Sequence, residues 1–597
     1  MSRSPRTAFR AVGTVLLASL TALVVLLGAT LLDRSPATRS TSAPQGWSAR
    51  PVADDSAGRD HAASVPGPRA ERGAAPLGAA GCEPRQGAVF VAPNGSDSAP
   101  GSFDAPLASV AAAVARAPEG GTIVLRGGEY HERVVLTRPV TMCALRGEVV
   151  WFDGASAVSQ WSRTASGWST PWPYAFDSTA TFTAGETPAD PFVDPARPMA
   201  AHPEMVFVDG TQLRQVSSDA APGPGEFHID AAERSLTIGT DPAGRDVRVA
   251  DLQQAIVAAA PDVRLEGFGV RRYANSLTTF GAVYLGRGGN VARDVVVEDV
   301  ATIGFTVSDD TGVNGAGRDD DATAPGSTLE HVTVRNAGLL AVHANWADGL
   351  RITGSRFVNS NSEGFNTTPV SGAVKVTQSR HVLVADNEVT QTNGATGIWM
   401  DESVVDFTIV GNTVRTGEVG ITAELSSSGV IAENEVTGQD RAVVIYNSEQ
   451  MLVALNRIHD TATADLWIAE DHRRQTDPDA TGHDPRHPPG DPSNTWRLRD
   501  VRFVGNTAQS SPLVRVFVLD PESTVDPSTV DISDNAFVAP GHVAFAGIDE
   551  QTQGLRRATL HAAFGAKAAA NVVSTPSDAD AEPNPKVVEE LESVLRP

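Results

Sequence analysis

Three charged residues with the potential for acid, base or nucleophilic chemistry recur at similar intervals in the middle of the chain. Lys375 lies in AVKVT, Asp401 in GIWMD and Glu424 in GITAE, 26 and 23 residues apart. Two carboxylates can act as the acid/base and the nucleophile of a glycosidase, and a lysine beside them can act as a base or as an ion-pair partner. This chemistry requires a fold that returns to the same place about every 23 residues.

The elements that must position these residues are short strands with period-two alternation. Seven segments align: AVYLG (282–286), GFTVS (304–308), AVHAN (341–345), AVKVT (373–377), GIWMD (397–401), GITAE (420–424) and AVVIY (442–446). Their second and fourth residues are apolar or small and should point inward, so the third and fifth should point outward. We call these outward positions the strip. Its first column is Tyr284, Thr306, His343, Lys375, Trp399, Thr422, Val444, and its second is Gly286, Ser308, Asn345, Thr377, Asp401, Glu424, Tyr446.

A second repeat predicts how the strands stack. Asparagines close short apolar runs at positions 387, 412, 434, 456, 506 and 535, with successive spacings of 25, 22, 22, 50 and 29. A period near 22 with a turn Asn indicates an all-β parallel solenoid, whose single coil cannot bury its own face. We interpret the Asn series as a ladder of stacked side-chain amides.

Adjacent coils of such a solenoid lie about 4.8 Å apart. Asp401 and Glu424 would therefore be separated by about the 5–5.5 Å of a retaining glycosidase pair. A solvated acidic patch or a Ca²⁺ site is the alternative, since paired carboxylates also suit that ion. The strip would be roughly 29 Å long, enough to follow several sugar units.

Lys375 and His343 indicate a different reaction. Uronate β-elimination needs a base beside the carboxyl group of the sugar, and a desolvated lysine can supply it. Asp401, in the neighbouring column, should instead favour the charged ammonium, which counts against Lys375 as the base. An ion pair within the strip is the alternative role of Lys375.

Substrate contacts are expected from the other strip residues. Trp399 is an outward aromatic among polar neighbours, and we favour stacking on a sugar over packing under a loop. The predicted substrate-binding set is Trp399, Thr377, Asn345, Tyr446 and Tyr284. Glu402 should lie past the end of its strand and point away.

Composition restricts the partners and the compartment. The formal net charge of −25, from 47 basic and 72 acidic residues, argues against a nucleic-acid partner. The two cysteines, Cys82 and Cys143, suggest one disulfide in an oxidising compartment, with two buried thiols as the alternative. No Cys/His spacing indicates a metal site. The cluster His472, His483, Asp484, His487 lies in a Pro-rich insertion that we interpret as a solvated loop.

The N-terminus predicts export. Residues 1–10 carry three Arg and no acidic residue, and residues 11–32 are uncharged and about long enough to span a bilayer. We predict a cytoplasmic segment (1–10) and a signal anchor (11–32). A cleaved signal peptide, giving a secreted protein, is the alternative. Residues 33–81, rich in Pro, Ala, Ser and Gly, predict a flexible linker.

Several segments resemble known families. The strand, Ala-rich helix and GTIVLRGGEYHE of residues 88–132 resemble the capped opening of right-handed parallel β-helix proteins of the pectin-lyase-like superfamily. Residues 155–250, with two predicted hairpins, resemble the small β domains inserted into some β-helix glycoside hydrolases. Trp161, Trp168 and Trp172 should pack between this insertion and the solenoid.

The stretch 372–436 resembles secreted bacterial β-helix proteins grouped with carbohydrate-active enzymes. Their pattern, Gly-x-x-Lys-x-Thr, Gly-x-Trp-x-Asp and Gly-Ile-x-x-Glu, carries over to Lys375, Thr377, Trp399, Asp401 and Glu424. The resemblance implies a carbohydrate ligand without fixing the reaction, since the superfamily includes hydrolases, lyases, epimerases and proteins without known activity.

The predicted architecture is a right-handed parallel β-helix. It comprises a cap and first coils (82–154), an antiparallel insertion (155–250), the main solenoid (251–545) and a helical tail (546–597). We expect a monomeric, exported protein that acts on a polysaccharide. The first hypothesis is a glycoside hydrolase using Asp401 and Glu424, the second is a uronate lyase or epimerase using Lys375 or His343, and the third is a non-catalytic glycan-binding protein.

Overall fold

The computed structural model describes residues 71–595 except for short internal gaps. The gaps are 184–186, 189–190, 218–220, 309–325, 474–481, 483, 485–491, 510–513, 519–528, 538–544, 548–555, 559–570 and 574–584. The predicted cytoplasmic segment, the signal anchor and most of the linker lie outside these residues. Within the described residues, no helix is long and apolar enough to cross a membrane.

One face of the right-handed parallel β-helix is a sheet of 13 strands, which we call the ladder sheet. Neighbouring strands are parallel and pair in chain order, as a solenoid requires. Its strands are Val89–Val91, Gly121–Leu125, Val140–Ala144, Arg264–Glu266, Val291–Arg293, Thr328–Glu330, Arg351–Thr353, Arg380–Ala385, Val405–Val410, Ser427–Ala432, Glu449–Ala454, Arg499–Val504 and Val530–Ser533.

The strip lies on a second face, the strip sheet. Its strands are Val134–Leu136, Ile256–Ala258, Val283–Leu285, Ile303–Ser308, Leu340–Asn345, Gly372–Thr377, Thr396–Asp401, Ala464–Glu470, Val514–Val518 and Phe545–Gly547, with Arg556–Ala558 antiparallel at the end. Two long strands, Thr413–Glu424 and Glu435–Tyr446, turn the corner and belong to both this face and the next.

The third face completes each coil. Its strands are Gly128–Tyr130, Val150–Asp153, Gly269–Arg271, Val296–Val300, Thr333–Ala337, Arg356–Val358, Glu388–Thr390, Arg457–His459, Thr507–Gln509, Ala536–Phe537 and Val572–Val573. Because the two corner strands are continuous, the second and third faces form one 24-stranded sheet.

The predicted inward residues form the solenoid core. Ile398 and Met400 are fully buried, as are their counterparts Val374 and Val376 on the preceding coil. Glycine begins several strip strands because the coils approach closely there: a Cβ at Gly397 would lie 2.6 Å from both the Gly420 carbonyl oxygen and Val414 Cγ1. Alternation of side chains therefore fixes which residues face the strip.

The asparagine ladder is confirmed. The Nδ2 of Asn412 donates to the Val384 carbonyl at 2.9 Å and to Asn434 Oδ1 at 3.0 Å, and its Oδ1 accepts from Asn387 N at 2.9 Å. The same pattern continues through Asn535 to Asn571. Each buried amide is thus satisfied by the adjacent coils, and the solenoid extends beyond the predicted end at residue 545.

The N-terminal end of the solenoid is capped as predicted. Helix Val110–Arg116 begins at Ser109, whose side chain accepts from Ala112 N, and it buries Val110 and Ala113 against the first coils. Cys82 and Cys143 form the predicted disulfide. The bond joins the first folded residues to the ladder sheet.

Residues 71–81, predicted to be flexible linker, lie along the solenoid instead. We call this segment the strap. Arg72 Nη2 donates to the Gly411 carbonyl at 3.0 Å, Gly73 N to the Gly354 carbonyl at 2.7 Å, and Ala75 N to Asp294 Oδ1 at 2.9 Å. The strap therefore runs back across successive coils before the chain enters the cap.

The insertion forms two small, mainly antiparallel sheets. One contains Ala155–Ala157, Val206–Val208, Thr211–Gln212 and Val247–Ala250, and the other contains Ser162–Thr164, Gly167–Pro171, Arg214–Gln215, Glu226–Asp230 and Ser235–Ile238. Trp172 is buried in the insertion's own core, with Trp161 and Trp168 packed against it. The expectation that these residues join the insertion to the solenoid is wrong, because the two sheets supply enough apolar surface to form a separate core.

Two further helices are described. A 3₁₀ turn, Leu277–Thr279, precedes the strip strand Val283–Leu285, and the C-terminal helix Pro585–Leu595 confirms the predicted tail helix. Val587 and Leu591 of that helix pack on Val430 and Leu452 of the ladder sheet. The tail thus covers the outer side of the ladder sheet.

Candidate active site

The strip alignment is confirmed by strand register. His343 pairs with Lys375, Lys375 with Trp399, and Trp399 with Thr422. In the second column Asn345 pairs with Thr377 and Thr377 with Asp401, while Glu424 pairs with Tyr446. Met400 pairs with Ala423, so Asp401 and Glu424 are the next residues on adjacent strands.

Lys375 and Asp401 form a buried ion pair at the centre of the strip. The Lys375 Nζ lies 2.9 Å from Asp401 Oδ2 and donates to the Pro369 carbonyl at 3.0 Å, and both side chains are only 7% exposed. Asp401 is therefore turned toward the preceding coil.

Trp399 differs from the open sugar platform that the sequence predicts. It is 5% exposed, and the Lys375 ammonium lies 3.6 Å from its ring centroid. A desolvated ammonium over an indole face is a favourable cation–π contact. The ring thus positions Lys375, and only a part of its edge is left for a ligand.

Glu424, like Asp401, is buried beside a cation. Burial and the nearby Asp401 charge raise the pKa of Glu424 to about 7, although Arg473 opposes the shift. Arg473 Nη2 donates to Glu424 Oε1 at 2.6 Å and its Nε donates to Asp471 Oδ2 at 2.8 Å. The Arg473 guanidinium also lies 4.8 Å from the ring centroid of Tyr446.

Glu402 belongs to this carboxylate cluster, and the expectation that it points away is wrong. It has a left-handed φ of +48°, and the chain turns there at the end of the strip strand. Burial and Asp401 raise the pKa of Glu402 to about 7. Gly482 packs so closely on it that a Cβ at 482 would lie 2.5 Å from Glu402 Cγ.

His343 is enclosed by aromatic rings. Its imidazole stacks on Phe182 of the insertion, with ring centroids 4.9 Å apart, and on Phe280 at 6.0 Å. Burial, assisted by the Lys375 charge, lowers the pKa of His343 to about 3. The ring is therefore neutral near pH 7. Tyr284 is buried next to Phe280, so it does not extend an open platform.

Four buried polar atoms of the strip have no hydrogen-bond partner among the described residues. They are His343 Nδ1, Asn345 Oδ1, Trp399 Nε1 and Asp401 Oδ1. Buried polar groups are normally paired, so unpaired ones that share a face suggest a place where a polar ligand is held. Thr377 instead donates to the Ala344 carbonyl at 3.5 Å.

The Pro-rich insertion after residue 470 contributes to the site. Asn447 anchors it, because its Nδ2 donates to the carbonyls of Arg473 at 2.5 Å and Trp496 at 3.0 Å. Asp484 is fully buried and lies 3.6 Å from Arg380. The expectation of a solvated loop is therefore wrong for this residue, whereas His483 and His487 lie outside the described residues.

No group of three or more His, Cys, Asp and Glu side chains among the described residues is arranged to hold a metal ion. Sequence reasoning missed Glu402, Arg473 and Phe182. Only Glu402 has a signal in the sequence, which is its place in a repeat. It immediately precedes Ser403, one of four serines that follow consecutive strip strands: Ser379, Ser403, Ser426 and Ser448. Arg473 and Phe182 come from insertions without a repeat.

Comparisons with known proteins agree with the fold. Residues 304–476 match the family model described as periplasmic copper-binding protein (NosD). A 74-residue segment is 42% identical to pectate lyase PEL9 of Emericella nidulans, covering 11% of this chain and 18% of that protein. The chain thus spans less than a fifth of the length of this curated relative.

One solved structure supports the fold, and a second was found at lower similarity. The complex of XylC with xylose superposes with a TM-score of 0.50 and 13% identity, over 76% of this chain and 83% of that chain. The periplasmic alginate epimerase AlgG superposes with a TM-score of 0.37 and 12% identity, over 67% and 77% of the two chains. The chain is a right-handed parallel β-helix.

Proposed function

We propose that this protein is a carbohydrate-active enzyme, and specifically a retaining glycoside hydrolase. The single observation that carries the proposal is a pair of carboxyl groups, Asp401 and Glu424, at neighbouring positions of two paired strands on adjacent coils. Each contacts a cation: Asp401 lies 2.9 Å from the Lys375 ammonium and Glu424 lies 2.6 Å from the Arg473 guanidinium. Burial and the Asp401 charge nevertheless raise the pKa of Glu424 to about 7, which suits a group that donates a proton near neutral pH.

In the proposed first step, an Asp401 carboxylate oxygen attacks the anomeric carbon and the glycosidic C–O bond breaks. Protonated Glu424 donates its proton to the departing oxygen, leaving a glycosyl ester on Asp401. In the second step Glu424 takes a proton from water, the water oxygen attacks the anomeric carbon, and the ester C–O bond breaks. Adjacent strands about 4.8 Å apart favour this double displacement over direct attack by water.

Neighbouring residues have supporting roles in this proposal. Lys375 orients the Asp401 carboxyl group through the ion pair, and Trp399 positions Lys375 through the cation–π contact. Glu402 raises the local negative charge and shares the titration near pH 7 with Glu424. His343 and Asn345, with unpaired buried atoms, are proposed to bind sugar hydroxyl groups.

The test uses substrates whose leaving groups differ in their need for a proton. A panel of α- and β-dinitrophenyl glycosides and neutral oligosaccharides identifies the sugar. Asp401→Asn should reduce turnover of both kinds by about 10³-fold or more, because no glycosyl ester forms. Glu424→Gln should lose oligosaccharide cleavage but release a burst of dinitrophenol, since dinitrophenolate leaves without protonation.

The matched control is Glu433→Gln, which replaces an exposed carboxyl group on the next coil. It should leave activity unchanged. Azide added to Glu424→Gln should yield a glycosyl azide of retained configuration. Full activity of Asp401→Asn, or an inverted azide product, would refute the assignment. Binding of glycans without any product would instead support the non-catalytic hypothesis.

A uronate lyase or epimerase is the second candidate, favoured by the segment shared with pectate lyase PEL9. Two observations oppose it: Asp401 holds the Lys375 ammonium at 2.9 Å, and the pKa of His343 near 3 makes a weak base. Absorbance from a new C=C bond in polygalacturonate or alginate, abolished by a calcium chelator, would support a lyase and the predicted Ca²⁺. Absence of that absorbance would count against it.

We also propose that the folded part lies outside the cytoplasm. The Cys82–Cys143 disulfide supports an oxidising compartment, and the matching family is described as periplasmic. Membrane attachment through residues 11–32 stays a prediction.

A further inference from the structure

The insertion contains a cavity that the strip does not use. Its volume is about 590 Å³, within the range of small-molecule sites. It lies between the segment 172–178 and the strands Arg214–Gln215 and Glu226–Asp230. Neither the proposed reaction nor any residue of the strip accounts for it.

Three aromatic side chains form one wall. The rings of Tyr174 and Phe176 are nearly parallel, with centroids 6.0 Å apart and planes 20° apart, and Trp172 meets both edge-on. Tyr174 is 42% exposed, which is unusual for a large aromatic residue in this fold. Its hydroxyl donates to Asp251 Oδ2 at 3.3 Å, which fixes the ring orientation.

Polar groups converge on the same cavity. Trp172 Nε1 and Gln215 Oε1 are buried and have no hydrogen-bond partner among the described residues. The Gln215 amide nitrogen donates to Glu204 Oε2 at 3.4 Å, so its oxygen is the atom left unpaired. One donor and one acceptor beside a flat aromatic wall match a sugar ring, which has hydroxyl groups at its edge and an apolar C–H face.

The charges near the cavity are balanced. Glu204 is acidic, and the Arg234 guanidinium already donates to the Pro173 carbonyl at 2.8 Å. An acidic polymer would require an excess of cationic donors. These features favour a neutral sugar unit over a uronate.

We propose that this cavity is a second glycan-binding site, which takes one or two neutral sugar units of a chain outside the catalytic strip. The choice of a glycan rests on the proposed function, whereas the site itself rests on the cavity and its unpaired polar atoms. Binding there would hold a polymer to the enzyme between turnovers.

The test measures binding of xylohexaose, cellohexaose and mannohexaose to the full chain by calorimetry. The Asp401→Asn background prevents turnover under the proposed mechanism. At least one hexasaccharide should bind, and Tyr174→Ala should weaken it by about fivefold to tenfold, as expected for the loss of one stacked aromatic. Tyr174→Phe is the matched control and should bind within about twofold of the parent, because it keeps the ring.

Gln215→Leu should also weaken binding, since it removes the acceptor. Failure of all three hexasaccharides to bind at millimolar concentration, or binding that Tyr174→Ala leaves unchanged, would overturn the second site. Binding lost on Trp399→Ala but retained in Tyr174→Ala would place the ligand in the strip and also overturn it. Hexasaccharide binding that depends on Tyr174, without hydrolysis by the parent chain, would refute the proposed function and leave the second site intact.

Discussion

Replacing Arg473 by Gln provides a direct test of the electrostatics of the candidate acid. Arg473 lies 2.6 Å from Glu424, and its side chain is 35% exposed. Two unit charges at that distance interact by about 1.6 kcal/mol with the dielectric constant of water and by about 6 kcal/mol with the value of roughly 20 used near protein surfaces. Because Arg473 is partly exposed, we use the lower figure.

The sign of the shift follows from which form is stabilised. The guanidinium favours the Glu424 carboxylate, so its removal should raise the pKa of Glu424 above the native value of about 7. An energy of 1.6 kcal/mol corresponds to roughly one pKa unit. Since the acid must be protonated, the alkaline limb of kcat/KM for an oligosaccharide should move upward by about one pH unit or more.

The assay is the pH profile of kcat/KM from pH 4 to 10, measured on the hydrolysed oligosaccharide. Arg473→Lys keeps the charge and should leave the limb within a few tenths of a pH unit of the parent. Glu402→Gln removes a neighbouring carboxyl and should lower the limb, provided that Glu424 is the acid. A limb that is unchanged or moves downward in Arg473→Gln would refute the role of Glu424.

The remaining predictions concern the ion pair and the stability of the fold. Lys375→Met should lower the free energy of unfolding by about 3–5 kcal/mol in urea titrations, because it removes one partner of a buried ion pair; an unchanged midpoint would contradict a structural role for the pair. Asn412→Ala should lower the free energy of unfolding by about 2–4 kcal/mol in urea titrations, since it leaves the buried Asn387 N–H and Val384 carbonyl unpaired; an unchanged midpoint would contradict the ladder. Removing both Cys82 and Cys143 should cost about 4 kcal/mol for a loop of their 61-residue separation; equal stability of reduced and oxidised protein would be the contrary result.

The repeats explain why much of the fold was predictable. Period-two alternation repeats along the solenoid and the Asn series repeats from Asn387 onward, so the register of His343, Lys375 and Trp399 follows from aligning a few coils. The cap, the disulfide and the insertion also agree with the sequence. Because the coils repeat, each one gives separate sequence support for the same strand register.

The surroundings of the strip were less predictable, because they depend on segments that do not repeat. Phe182 covers His343 from the insertion, and Arg473 reaches Glu424 from a polar, Pro-rich segment. Glu402 was missed because one left-handed residue reverses the direction expected for a side chain past the strand end. As a result the strip, expected to be an open groove about 29 Å long, is mostly buried in the structure.

The strap has a consequence for how the solenoid can change in length. Ala75 N, Gly73 N and the Arg72 side chain are hydrogen-bonded to the coils that carry Asp294, Gly354 and Gly411, and the chain between these contacts is short. Deleting or duplicating one coil in this half would displace the later partners by one strand spacing, about 4.8 Å, and break the match. The strap therefore matches only one number of coils between Asp294 and Gly411, ahead of the carboxylate cluster.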